Sequence, residues 1–328
     1  MMTRPILHCL RLGVLALGIS ASTAHAGNIS IDVSPGGPGI EGALFSDSRL
    51  FADAYRKMIV EKGLLTGGNS ASWHGLRTEA HSATLSRMTY SYSRGGRTFT
   101  RTYHARSGPA MEVVLARKKV IGADGKPAPA TSGTSGASGT ESEGSRPYTI
   151  TEEDIAKDFA ERKYYPADTP TDVRVRNLKP LEDGIVRSSG KEAATHAADA
   201  ELKIFRQIEA DVAAGVVERG GTLTGFVSKA VCPSCTAAAE ELAEEYGIDG
   251  TIYQLVEPTA EVAGAEETLS QSKAASGRLK SLRRTYSTAH LRRETITTPG
   301  EARWLETEAV ERIEAEEAAT SLAQPCGE

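Results

Sequence analysis

The period of the apolar pattern changes along the chain, and each change predicts an element. Over residues 48–64, Leu50, Phe51, Ala54, Tyr55, Met58 and Ile59 recur at helical spacing. Residues 88–106 (MTYSYSRGGRTFTRTYHAR) alternate on either side of Gly95-Gly96. This is the pattern of a β-hairpin, in which paired glycines supply the positive φ angles of a tight turn. Thr151 to Asp154 reads as a capping box that opens a helix with Ile155 and Phe159 inward. A second helix is expected from about Thr195, with Leu202, Phe205, Ile208 and Val212 on one side and Gly215 to Gly221 ending it. Residues 222–228 predict a strand, Cys232 to Tyr246 a helix, and 250–256 another strand. That order implies a right-handed crossover onto a layered α/β sheet. The fold class expected is α/β in the C-terminal half, preceded by a mixed α+β region.

Composition then divides the chain. Met1 to Ala26 holds two arginines, no acid, a short apolar run from Leu12 to Ile19, and small residues ending in Ala24-His25-Ala26. This is the layout of a cleaved signal peptide, too short to span a bilayer, and it implies a secreted or periplasmic protein with no membrane span. Its removal takes the net charge from −5 to −7. Residues 35–42 (PGGPGIEG) read as a flexible lead-in and not as a phosphate loop, because no strand is visible before them. Residues 122–146 are Gly, Ser, Thr, Ala and Pro with little else, too poor in apolar surface to offset their ordering entropy. They are the expected linker, 121–147, between a region 27–120 of unknown role and a domain 148–300. Residues 301–328 carry eight glutamates and predict a solvated acidic helix or tail.

Two segments are basic. The hairpin places Arg94, Arg97, Arg101 and Arg106 beside Tyr90, Tyr92, Phe99 and Tyr103, which suits either an exposed hairpin with a half-buried aromatic face or a nucleic-acid surface. Residues 273–293 hold seven basic residues and no acid. They suit either a solvated helix or a backbone contact through Arg283, Arg284, Tyr286 and Arg292. His74, His81 and His104 have no ligand-like neighbours in sequence.

Candidate chemistry centres on cysteine. Beyond the leader only Cys232, Cys235 and Cys326 remain, an odd number that does not make a disulfide scaffold. Cys232-Pro-Ser-Cys235 falls between a strand and a helix, where the helix N-terminus favours thiolate for either a metal or redox chemistry. About thirty residues upstream, at the opening of the preceding helix, stands Asp199-Ala200-Glu201. Ligand-x-Glu at a helix start, then a strand, then Cys-x-x-Cys at the next helix start is the arrangement of the zinc nucleobase deaminases. Residues 195–256 resemble that family, and DAELKIFRQI and VCPSCTAAAEEL are similar to deaminase domains of secreted bacterial toxins and effectors.

The resemblance implies a zinc ion held by Asp199, Cys232 and Cys235, with Glu201 as proton shuttle and His196 as an alternative ligand. It implies a nucleoside or nucleic-acid substrate and a neutralising (immunity) protein as partner. Two positions depart from the family: Val231 stands where it has Pro, and Asp199 where it has His, which would leave the site one charge more negative. Asp199 could instead be a plain helix cap. A thioredoxin-like thiol-disulfide oxidoreductase shares the strand, Cys-Pro-x-Cys, helix, strand order, and a binding module with a structural zinc or disulfide is the third reading.

Overall fold

A computed structural model describes residues 26–62, 79–113, 151–187 and 196–291. Residues 1–25 of the expected leader, His74, the expected linker at 121–147, Arg292, Cys326 and the acidic segment 301–328 lie outside these residues. The elements are β1 (Ile29–Val33), α1 (Pro38–Glu61), β2 (Leu85–Arg94), β3 (Arg97–Arg106), α2 (Glu152–Ala160), β4 (Asp172–Arg174), α3 (Ala200–Ala213), β5 (Thr222–Val227), α4 (Pro233–Tyr246), β6 (Asp249–Gln254) and α5 (Glu266–His290). They build an α/β structure around one mixed six-stranded sheet of order β1-β6-β5-β2-β3-β4. Only β2 runs against the others: it is antiparallel to β5 and β3, while the β1–β6, β6–β5 and β3–β4 pairs are parallel.

Period-2 alternation sends β2 and β3 side chains to two different cores. On one face Met88, Tyr90, Tyr103 and Ala105 pack with Leu202, Phe205 and Ile208 of α3 and Ala239 and Leu242 of α4. On the other, Leu85 joins Leu44, Phe51, Tyr55 and Met58 of α1 and Leu279 and Tyr286 of α5. Each large apolar side chain so enclosed contributes about 1.5–3 kcal/mol relative to exposure. The Gly95 and Gly96 φ angles of 59° and 74° give the hairpin its tight turn and the register Arg94↔Arg97.

The strands of 27–120 and of 148–300 interleave in this one sheet. The composition break at 121–147 is therefore not a break in the core: β2 pairs with β5 over six residues, from Ser86↔Val227 to Ser91↔Thr222. Three local expectations are corrected. The hairpin is not an exposed appendage; its inner half lies in mid-sheet and only its tip projects beyond β5. The glycine-rich stretch does follow a strand, β1, but the start of α1 is filled by its own Glu41. That carboxylate accepts the Gly37 amide at 3.1 Å and pairs with Arg278 at 2.7 Å, so it occupies the place a phosphate would need. In α2 the capping box forms, with the Asp154 amide donating to Thr151 Oγ1 at 3.1 Å, yet Phe159 points to solvent. The buried positions are Asp154 and Asp158, the latter because it accepts Asn177 N and Nδ2 at 2.6 and 2.7 Å. His104 is buried between two carboxylates, Asp47 at 2.8 Å and Asp172 at 2.5 Å, and straps α1 to the sheet edge.

Candidate metal centre

The starts of α3 and α4 meet beyond the C-terminal ends of β3 and β5. Helix α3 begins at Ala200, later than the sequence predicts. Asp199 is its extended N-cap residue, at φ −64° and ψ 144°. An aspartate there ordinarily accepts an amide from its own first turn. Asp199 makes no such bond. Its Oδ2 instead lies 2.8 Å from His196 Nδ1 and 3.4 Å from each of the Cys232 and Cys235 sulfurs. The backbone fixes this pose: Asp199 N donates to His196 O, and Gly108 N, just past β3, donates to Ala198 O, both at 3.0 Å.

Cys232 is the N-cap of α4, with Pro233 opening the helix and its sulfur accepting the Cys235 amide at 3.3 Å. The preceding loop is held by Gln254 at the end of β6, whose Oε1 accepts Val231 N at 2.6 Å. The two thiols are free and 3.1 Å apart. The hydrogen bond between them is the largest influence on both: it holds the Cys232 thiol down to about 7 and pushes Cys235 far up. Glu201, the second residue of α3, is 3 % exposed. Burial first, and the Asp199 carboxylate second, raise its carboxyl to about 8.

These residues fit zinc by the chemistry of their donors. Two thiols with a carboxylate or an imidazole are a borderline-soft set of the kind zinc takes. His196, Asp199 and Cys232, all half-buried, offer donor atoms within 4.8 Å of one another, a group that could hold a metal ion. Cys235, outside that group of three, contacts Asp199 Oδ2 at 3.4 Å and the Cys232 sulfur at 3.1 Å. Four donors at one point close a site, whereas three leave a position for water. Since His196 already engages Asp199 through Nδ1, the arrangement can serve with His196 as ligand or as the group that orients the Asp199 carboxylate.

The basic residues of α5 are not brought to this site. Arg283 is buried and donates to Ser48 Oγ and to the Ala80 and Ala83 carbonyls at 2.8–3.2 Å; Tyr286 is buried with its hydroxyl on Asp53. Both are struts between α5 and α1 and cannot contact a phosphate backbone. Arg284 alone of the described candidates is exposed. Two clefts, of about 540 Å³ beside Asp53, Arg56 and His290 and about 370 Å³ beside Gly36 and Arg278, also lie away from the donors. Gln254 and Gly108 had no signal in the sequence, because they reach the site only through sheet pairing. No helix among the described residues is long and apolar enough to cross a membrane. No protein-family model, curated protein or solved structure matches the chain.

Proposed function

We propose that the protein is a zinc-dependent hydrolytic deaminase acting on a nucleobase, in a nucleoside or a nucleic acid. The observation that carries this reading is Asp199: it gives up its helix cap and turns its carboxylate to both thiols of the next helix start, while Glu201 stays buried beside them. The order ligand-x-Glu, strand, Cys-x-x-Cys matches what the deaminase resemblance implies for these elements. The chemistry zinc brings when bound is Lewis acidity and a water made acidic near neutral pH.

The chain's own groups account for the rest. Helix α3 turns by about 100° per residue, so Asp199 and Glu201 could not serve one point from a regular helix; the extended backbone of Asp199 removes that obstacle. Glu201 would take one proton from the attacking water and pass it to the ring nitrogen, then take the proton of the added hydroxyl and pass it to the departing amine. Its raised pKa suits a group that must give the proton back, and positive charge at the donors acts in the opposite sense and favours the ionised form that accepts it. Export through the leader at 1–26, an effector role and a neutralising partner belong to the same proposal.

The direct test is ammonia release from cytidine, adenosine and single strands by reduced, zinc-loaded protein, with Glu201→Gln beside it. That variant should keep its zinc and lose at least about a hundredfold in rate. Full activity in Glu201→Gln would remove Glu201 from the mechanism. The lowered Cys232 thiol, 3.1 Å from Cys235, also favours a second reading, a thiol-disulfide oxidoreductase. Asp199→Ala separates the two, because thiol exchange survives that change and a deaminase does not.

A further inference from the structure

At the end of the sheet away from the metal centre, the hairpin tip carries an aromatic ladder. Tyr90 stacks on Tyr92, and Tyr92 on Phe99 across the strands, each at 5.8 Å between centroids and 22° between planes. The ladder starts in the core, where Tyr90 is fully buried, and finishes at Phe99, 42 % exposed. Val216 joins it at the surface, since its carbonyl accepts the Tyr92 hydroxyl at 3.3 Å and it is 39 % exposed. Among the described residues four large apolar side chains are exposed, and two of them are on this patch. Such clustering marks an interaction surface more than scattered exposure does.

Charge identifies the partner. Of the five arginines from Ala80 to Met111, Arg87 and Arg106 pair with Asp47 and Glu79. Arg94 lies over the Tyr92 ring at 5.6 Å and is fixed by Glu218 at 2.6 Å, and Arg101 is taken by Asp211 at 2.9 Å. Arg97, exposed and opposite Arg94, has no ion pair among the described residues. Tyr92 covers one side of the Phe99 ring, and the exposed ring ends the ladder. The residues that project furthest are Gly95 and Gly96, which have no apolar side chain to insert into a bilayer.

We propose that the tip binds single-stranded nucleic acid, by stacking an unpaired base on Phe99 with Arg97 beside its phosphates. Stacking on an aromatic side chain tolerates any base, and flanking arginines supply the salt-dependent part of the affinity. The surface stands apart from the deaminase reading: β2 spans ten residues, so the tip is about 30 Å from the strand ends that carry the donors.

The test is fluorescence anisotropy of a short labelled single strand with the full chain, against the duplex form and anionic phosphatidylserine vesicles. The single strand should bind best, with affinity falling as salt rises. Phe99→Ala should weaken it about tenfold, Phe99→Trp should restore it, and Arg97→Glu should weaken it and flatten the salt dependence. Zinc content in Phe99→Ala should equal that of the wild type, so failure at the tip is distinct from failure of the metal centre. Equal binding by Phe99→Ala and wild type, preference for duplex, or binding to vesicles but not to the strand would each overturn the proposal.

Discussion

The starts of α3 and α4 and the length of α5 are both rich in polar residues, and the fold treats them in opposite ways. At the helix starts, polar groups converge and forgo ordinary local bonds: Asp199 leaves its cap vacant, and two free thiols face its carboxylate. Along α5, groups that look available are used up. Arg278 pairs with Glu41, and Arg283 holds Ser48 and two carbonyls. The difference is one of helical phase. The buried positions of α5 are 272, 275, 276, 279, 283, 286 and 287, a stripe of 3–4-residue spacing that takes in Arg283 and Tyr286 and leaves Lys280 and Arg284 outside. A run of basic residues says nothing about phase, whereas a ligand at a helix start is already outside the regular winding.

Substitutions sharpen this contrast. The largest effect is expected from Cys235→Ser, which removes a buried donor of the convergent cluster; bound zinc should fall from near stoichiometric to near zero, as metal analysis after gel filtration would show. If α5 is a strut, Arg283→Met should cost about 2–4 kcal/mol in urea unfolding, because it leaves the Ala80 and Ala83 carbonyls buried without their donor. Arg284→Ala should stay within about 0.5 kcal/mol. Equal costs at the two positions would remove the distinction between inward and outward arginines.

A smaller effect should appear in the pH dependence of stability. Burial, the largest influence, raises Glu161 from 4.5 to about 7, against the pull of Arg106. Between those pH values the folded state holds more proton than the unfolded chain, so stability from this group falls as pH rises through that window. Glu161→Gln should therefore gain on the wild type from pH 4.5 to 7. A constant difference across the window would mean that Glu161 does not ionise within it.

Local signals carried most of the elements. The hairpin, the capping box, α3, β5, α4 and β6 follow from turn residues and periodicity within short windows. What stayed hidden depends on partners far along the chain. Ile29–Val33 is too short to stand out, and it becomes a strand by pairing with β6 over two hundred residues later. The single sheet was concealed for the same reason: the linker composition between 121 and 147 breaks the sequence, while β2 and β5 pair across it. Cys232 and Cys235 were legible because Pro233 marks their helix start, and Asp199 through its spacing from Glu201, although its helix opens at Ala200 and not near Thr195. Gln254 and Gly108 were not, since nothing in an isolated Gln or Gly announces which loop it will hold.

The central claim is that Asp199, Cys232 and Cys235 form one metal centre, and metal content tests it most directly. Protein purified under reducing conditions should carry near-stoichiometric zinc, and both Asp199→Ala and Cys232→Ser should lose it. Protein without zinc whose Cys232–Cys235 pair oxidises and reduces reversibly, unchanged by Asp199→Ala, would contradict the claim and place the two thiols in redox chemistry.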